Sequence, residues 1–489
     1  MKMTLPLTIL ALSLALAGCA SIPPDTNVLP QQDLAQARLA ADIHLASEGW
    51  PAAQWWQQFQ DTQLDQLIEQ ALSASPSLDT ASTRIASAQA AFDLQHAEHD
   101  PRVDLGASVN RQRYSGNGLT PAPIGGNYYN EANVSVQAHY DLDWWGRHKA
   151  QIASALGEVN ARRAEYAMAE QMLAANIARH YFSIQSNWAR MDNLHALVDL
   201  QRTLVADKEK RIAHGLGVSD DHLSAQTRLS LIEQQIALLE TQIVTEREAL
   251  RALLGADGSA LANLQPHTAL ALPHQLPGKL GMQLLARRPD LQAARWRVQA
   301  ALDRIDAAQA AFYPDIDLGA AFGLDSIHLG KLLEAGSRTL FVGPTLSLPL
   351  FDSGRLQAQL KGARSERNEL IADYNQRVFD VVRDVAQAGA RLQGVENQLR
   401  LQDENLRTSQ AQLRNANARV KQGLSDRAMQ LNAEMTVRAQ LDLGMQLQSQ
   451  RQNAEINLVV ALGGGYRGAT EFAQAPVAST SQPSTQTKR

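Results

Sequence analysis

The sequence predicts a mixed α/β membrane protein in which one set of helices and strands is written twice. Three observations support this fold class. The stretch over residues 288–319 repeats the stretch over residues 75–106 without a gap. Four segments alternate between apolar and polar residues, which is typical of strands. Two long segments keep apolar residues at steps of three and four, which is typical of coiled-coil helices.

The repeat is carried by matched proline, glycine and charged residues. The two copies lie 213 residues apart at first and 208 residues apart further along the chain. A repeat of about 180 residues fixes the architecture before single elements are assigned. We therefore expect repeat 1 over residues 76–262, a linker over 263–285 and repeat 2 over 286–465. The matched pairs include Pro76 and Pro289, Arg84 and Arg297, Pro101 and Pro314, Gly215 and Gly423, and Leu254 and Leu462.

The first residues predict export and a lipid anchor. Lys2 precedes an apolar run over residues 5–17 that is too short to span a bilayer. Small residues then lead to Cys19, the only cysteine of the chain, as in a bacterial lipobox. We expect a signal peptide over 1–18, a diacylglycerol and an N-acyl chain on Cys19, and an N-terminal arm over 19–75. A chance cysteine behind an ordinary signal is the alternative.

Composition excludes some classes of function. The chain has 489 residues, a net charge of −5 and 45% apolar residues. It can bury a large core, and it lacks the basic excess of a nucleic-acid binder. Residues 466–489 are rich in Ser, Thr, Gln and Pro, and we expect them to be disordered.

The four alternating segments predict strands over residues 103–110, 132–142, 316–324 and 340–350. Each has about the length that a tilted strand needs to cross a bilayer. Apolar side chains would face lipid and polar ones water. Aromatic residues near the strand ends would form interfacial girdles: Trp144, Trp145, Phe312, Tyr313 and Phe351 at one interface, and Tyr128 and Tyr129 at the other. A half-buried soluble sheet gives the same alternation and is the alternative.

The helical segments are unusually long. Residues 149–213 and 355–421 contain no proline and predict single helices of roughly 100 Å. Tight turns at Gly215 and Gly423 end them, and return helices follow over 221–254 and 426–462. A helix over 77–99 precedes the first strand. Asp61 is expected to cap a short helix, and Trp50, Trp55 and Trp56 to pack in the core.

No catalytic pattern is evident in the sequence. A GxSxG elbow, a P-loop or a GxGxxG fingerprint does not occur between a strand and a helix. His96 and His99 flank Glu98, but HAEH lacks the spacing of the zinc-binding HExxH motif. We therefore expect neither an enzyme nor a metal site.

Several motifs carry a family resemblance. LARRPDL (285–291), AAFYPDIDLGAAFG (310–323), LSLPLFDSGR (346–355) and the duplicated Gly-Leu turns resemble the TolC-like outer-membrane factors of tripartite efflux systems, in their lipoprotein branch. The resemblance covers residues 19–465. It implies a homotrimer in the outer membrane whose protomers complete one twelve-stranded barrel, continued by a helical tunnel in the periplasm. It also implies an exit duct for drugs and small molecules that works with a periplasmic adaptor and an inner-membrane pump.

The strands alone require an oligomer but do not choose its size. Four strands cannot close into a barrel, and open sheet edges are not tolerated in lipid. Two, three or four copies would serve, and the family implies three. A periplasmic adaptor, or another envelope coiled-coil lipoprotein without a pore, is the alternative function.

The family also implies a gate at the helical tips, where acidic residues follow the turns. Asp221 and Glu434 are the gate candidates in this chain. Gly215, Leu216, Gly423 and Leu424 are the candidates for contact with the adaptor. Ordinary helix capping by Asp220, Asp221 and Asp426 is the alternative explanation for the acidic residues.

Overall fold

A computed structural model describes residues 22–33, 51–119, 121–257, 259–267 and 287–466. The signal peptide, Cys19, Trp50 and nearly all of the C-terminal tail lie outside the described residues. The elements in chain order are α1 (Thr62–Ala74), α2 (Pro76–His99), β1 (Arg102–Arg113), β2 (Tyr128–Asp141), α3 (Arg147–Ala213), α4 (Ser219–Leu254), α5 (Pro289–Ala310), β3 (Asp315–Ser326), β4 (Arg338–Ser347), α6 (Arg355–Lys421) and α7 (Arg427–Ala461).

The helices agree with the sequence pattern. Helix, two strands, long helix and return helix occur in the same order twice, and α3 and α6 are each 67 residues long. Asp61 caps α1 as expected, because its carboxylate accepts hydrogen bonds from the backbone N–H groups of Gln63 and Leu64 at 3.0 and 3.2 Å. No helix within the described ranges combines the length and the apolar character needed to cross a membrane.

The strands differ from the prediction at their ends. β1 and β2 continue beyond the alternating residues, to the pair Arg113 and Tyr128. The alternation of apolar and polar residues stops before this pair because Arg111 and Arg113 occupy positions on the apolar face of β1. Their guanidinium groups lie 5.5 and 6.0 Å from the centre of the Tyr128 ring. β4 ends at Ser347, short of the predicted Leu350. Pro349 has no N–H group with which to continue the ladder.

The four strands form one antiparallel sheet in the order β1-β2-β3-β4. Its register aligns the predicted apolar residues across all four strands, in rows such as Leu105, Val136, Phe322 and Leu340. The opposite face contains rows such as Gly106, Ser135, Gly323 and Thr339. Within the described residues, the outer edges of β1 and β4 have no partner strand.

Two compact units cut across the repeats. One unit contains the chain up to residue 31 together with 85–161 and 294–374, and it includes the sheet. The other contains 32–84, 162–293 and the chain from 375 onward. Each unit therefore draws on both repeats, so a repeat is not a compact domain.

The second unit has the larger apolar core. Trp55 and Trp56 are buried there, as expected, beside Phe59, and the Trp55 indole N–H donates to the Gln171 side-chain oxygen at 3.0 Å. The Tyr181 hydroxyl donates to the Asp61 carboxylate at 2.6 Å. Asp61 thus joins the start of α1 to the middle of α3.

Candidate functional site

The apolar face of the sheet is the first candidate functional surface. Leu105, Leu340 and Val342 are 73, 76 and 68% exposed in the single chain. Soluble monomers rarely expose a continuous apolar surface of this kind, so such a face marks contact with lipid or another protein. The face assignment made from alternation is correct, because the register groups the apolar residues on one side.

The opposite face of the sheet is polar, and its charged residues are mainly acidic. Asn133 donates to Asp325 at 3.2 Å across β2 and β3, and Gln112 donates to Glu131 at 2.9 Å across β1 and β2. These cross-strand bonds satisfy the polar side chains while leaving them beside solvent. Phe341 also lies on this face and, unlike the aromatic Tyr129 there, carries no polar group.

Aromatic residues gather where the strands meet the helices. The Trp145 ring stacks on Tyr313 at 4.6 Å, and its N–H donates to the Pro314 carbonyl at 2.8 Å. Trp144 and Phe351 are exposed. Amphipathic rings of this kind suit a membrane interface. Their position relative to a bilayer stays a prediction.

Two members of the predicted girdles are placed differently. Phe312 is only 3% exposed and packs with Ile305, Leu356 and other apolar residues. It lies seven residues after Ile305, so it continues the buried stripe of α5. Tyr129 packs against Tyr114 on the polar face, because neighbouring strand residues point to opposite sides.

A charged cluster joins β2 and β3 to the start of α3. Carboxylate oxygens of Asp141, Asp315 and Asp317 lie within 4.8 Å of one another. The Arg147 guanidinium lies 3.3 Å from Asp141 and 3.1 Å from Asp315, and the His148 ring lies 2.6 Å from Asp141. The cluster already contains the Arg147 guanidinium and the His148 ring as partners of its carboxylates, so it is explained as a polar network that secures the junction.

The two glycine turns have the same geometry. Gly215 and Gly423 have φ values of +72° and +71°, a region that glycine adopts without strain. The N–H groups of Leu216 and Leu424 donate to carbonyls five residues earlier, each at 2.8 Å, which is the Schellman pattern of helix ends. Both leucines project outward, 72 and 66% exposed. The sequence prediction of tight turns is correct.

A cleft of about 590 Å³ lies between the two helical hairpins beside these turns. Its lining includes Leu204, Leu216, Asp221, Asp426 and Arg427. Two of the predicted residues, Leu216 and Asp221, therefore share one cleft. The other four predicted residues, Gly215, Gly423, Leu424 and Glu434, are not among its lining residues, and Glu434 is half-buried on α7.

Ion pairs surround this cleft. The Lys208 ammonium lies 3.1 Å from Asp221, and the Arg211 guanidinium lies 3.0 Å from Asp426. The second pair links the two hairpins across 215 residues of sequence. Sequence reasoning missed both basic partners. The signal available was a basic residue before each glycine turn and an acidic residue after it.

Helix capping accounts for one of the three acidic residues. Asp426 caps α7, because its carboxylate accepts from the Met429 N–H at 3.1 Å. The N-cap of α4 is Val218, which makes no side-chain capping bond, so capping by Asp220 or Asp221 is wrong. Both lie in the first turn, where a negative charge favours the helix dipole.

The start of the N-terminal arm, from residue 22 to residue 25, is fixed to α6. Ile22 packs against the cluster that contains Phe312 and Leu356. The Asp25 carboxylate bonds the guanidinium of Arg367, which is 4% exposed, and this contact lowers the pKa of Asp25. Arg364 donates to the Pro23 and Pro24 carbonyls at 2.7 and 3.2 Å. The arm is therefore held from the third residue after Cys19.

An open antiparallel sheet with one apolar face, joined to helices of 67 residues, defines the fold of TolC-like outer-membrane channels. The chain belongs to the outer membrane efflux protein family, whose model matches residues 67–256 and 280–464. This family consists of efflux ducts rather than enzymes.

Named relatives and a solved structure agree with this assignment. The chain is 41% identical to the multidrug resistance outer membrane protein MdtP of Escherichia coli (strain K12), over 94% of this chain and 96% of the relative. It is 34% identical to MdtQ of Escherichia coli O157:H7, over 93% and 97%. The crystal structure of VceC from Vibrio cholerae matches with a TM-score of 0.77 at 30% identity, covering 86% of this chain and all of VceC.

Proposed function

We propose that the protein is the outer-membrane exit duct of a tripartite efflux pump, a passive channel that carries drugs and other small molecules from the periplasm to the exterior. The observation that carries the proposal is the sheet, with its single apolar face and with two edges that have no partner strand in the described part of the chain. Each backbone group left unpaired in hydrocarbon costs several kcal/mol. The edge of β1 in one copy must therefore pair with β4 of another.

Three copies would complete a twelve-stranded barrel, which is the assembly that the family resemblance implies. The apolar face would then contact lipid, and the polar face would line the lumen. As the family resemblance implies, a periplasmic adaptor would contact the duct, and an inner-membrane pump would supply the energy. A coiled-coil lipoprotein without a pore has no need of such a sheet, so the channel is favoured.

Disulfide cross-linking tests the closure. Ser108→Cys in β1 is combined in turn with Thr339→Cys and Thr345→Cys in β4, since one chain does not fix the register between copies. We expect one combination to give cross-linked species that end at three copies. Ser135→Cys in the central strand β2, combined with the same partners, is the matched control and should give none. Cross-linked assemblies that end at two or at four copies would contradict the trimer.

We also propose that Cys19 carries the lipid. The lipobox supports this, and so does the arm, whose contacts with Arg364 and Arg367 hold the chain from Ile22 onward. Mass spectrometry of the mature N-terminus should show a diacylglyceryl cysteine with an N-acyl chain. Cys19→Ala is the control. A mature chain that starts at any other residue without lipid would remove this proposal.

The helical tips are proposed as gate and adaptor contact. Asp221 and Glu434 would line the closed end, and Gly215, Leu216, Gly423 and Leu424 would contact the adaptor. Support comes from the exposed leucines and from the cleft that Leu216 and Asp221 share.

Two experiments separate these roles. Replacing both gate carboxylates with Ala should raise single-channel conductance and weaken cation selectivity in planar bilayers, whereas Asp220→Ala, one position away, should change neither. Gly215→Val or Gly423→Val should abolish drug resistance while trimers persist. Unchanged conductance, or unchanged resistance, would move the gate or the contact elsewhere.

A further inference from the structure

One large apolar side chain lies on the polar face of the sheet. Phe341 pairs with Ala321 in a row that also contains Gln137 and Asp104. Its neighbour Leu340 belongs to the opposite, apolar face. Among the strand residues that the structure describes on the polar face, Phe341 is the only large side chain without a polar group, since the ring of Tyr129 carries a hydroxyl. The pattern of the sheet therefore does not explain its presence.

Two glycines make room for the ring. Gly319 and Gly343 face each other across β3 and β4. They form the neighbouring row of the same face, two residues along each strand from the pair of Ala321 and Phe341. A Cβ added to either glycine would lie 3.5 or 3.6 Å from a ring carbon of Phe341. The ring therefore covers the backbone at these glycines, which supports strand pairing. Phe341 is still 56% exposed in the single chain, on the face that carries the polar side chains.

The surrounding face is negatively charged. Six carboxylates lie on it. Arg102 pairs with Asp104, and Arg147 pairs with Asp141 and Asp315, so the face keeps an excess of negative charge. The acidic residues are Asp104, Glu131, Asp141, Asp315, Asp317 and Asp325. A surface of one sign raises the local concentration of ions of the opposite sign. Cations also bind to the face of an aromatic ring.

We infer that Phe341 is a contact site for cargo inside the barrel, and that it favours small molecules that combine an aromatic ring with a positive charge. Such a molecule stacks on the phenyl ring while the acidic face attracts its charge. A cation without a ring loses the stacking, and an anion meets repulsion. The inference rests on the proposed function, because only the closed barrel turns this face toward the transport path.

Block of single-channel current by ethidium, an aromatic cation, tests the inference without the pump. Tetraethylammonium, a cation without a ring, is the comparison. Phe341→Leu keeps the bulk over the glycines and removes the aromatic face, so the sheet should remain intact. We expect the ethidium concentration that halves the current to rise about two- to thirty-fold. That of tetraethylammonium should rise less, because this ion loses the cation–π contact with the ring but has no stacking to lose.

The controls separate failure of the inference from failure of the proposed function. Leu340→Ala, on the apolar face, should leave both blockers unchanged. The fraction of heat-sensitive oligomer shows whether each variant assembles. Equal ethidium block in wild type and Phe341→Leu, or an equal loss for both blockers, would overturn the inference. A wild-type protein that forms no channel would instead overturn the proposed function.

Discussion

A single arginine on the apolar face of the sheet should prevent assembly. Val136 lies near the middle of β2, between Leu105 on β1 and Phe322 on β3. Val136→Arg would bury a guanidinium group among apolar neighbours on both sides. Arginine on the lipid face costs about 2–4 kcal/mol at the bilayer midplane. Three copies that contribute equally would lose roughly 6–12 kcal/mol per barrel.

The matched control is one residue away. Gln137→Arg puts the same charge at the same depth on the opposite, polar face. It loses one hydrogen bond of 3.3 Å to Ser135, which contributes about 0.5–1.5 kcal/mol. Heat-modifiable migration of outer-membrane extracts measures the oligomer yield. We expect little oligomer for Val136→Arg and nearly normal amounts for Gln137→Arg. Equal yields, or a larger loss for Gln137→Arg, would refute the assignment of the two faces.

Three further predictions concern the parts outside the sheet. Tyr181→Phe removes the hydrogen bond to the buried Asp61 carboxylate and should lower the free energy of unfolding by about 1–3 kcal/mol, with α1 the first element to lose protection in hydrogen exchange; full protection of α1 would contradict this. Burial raises the pKa of Glu455 from 4.5 to about 7, so the folded chain binds a proton more tightly than the unfolded chain and stability falls as pH rises from 4.5 through 7. Glu455→Gln should flatten the dependence of Tm on pH over this range, and an unchanged slope would count against it. Arg367→Lys loses the paired contact with Asp25 and should expose the arm to proteases several-fold faster, whereas equal cleavage rates would show that the arm is held elsewhere.

Much of the fold could be predicted because its boundaries are set by local chemistry. Proline has no N–H group, so Pro101 marks the end of α2, and positive φ requires glycine at the long-helix turns. Alternation assigned both faces of the sheet, since strand side chains point to opposite sides in turn. Backbone pairing ignores side-chain polarity, so the same pattern could not show that β1 continues to Arg113.

The candidate site was predictable only in part. The turns at Gly215 and Gly423 follow from sequence, whereas the ion pair between Arg211 and Asp426 joins residues far apart in the chain. The sequence prediction of an interfacial girdle also could not distinguish Phe312, which is buried in an apolar cluster, from Tyr313, which stacks on Trp145. The two residues continue different sides of α5, and tertiary packing decides which side is buried.

The two candidate regions differ in how firmly they are held. The sheet is joined by three complete antiparallel ladders, and opening it would expose backbone groups at a cost of several kcal/mol each in lipid. The turns are linked by pairs such as Arg211 and Asp426, whose side chains are 53 and 56% exposed. Exposed ion pairs contribute about 0–1 kcal/mol and weaken with salt. A conformational change that opens the channel is therefore far less costly at the helical tips than in the sheet. This energetic difference favours the gate at the tips and leaves the polar face of the sheet, including Phe341, as a fixed lining that acts on cargo through its chemistry alone.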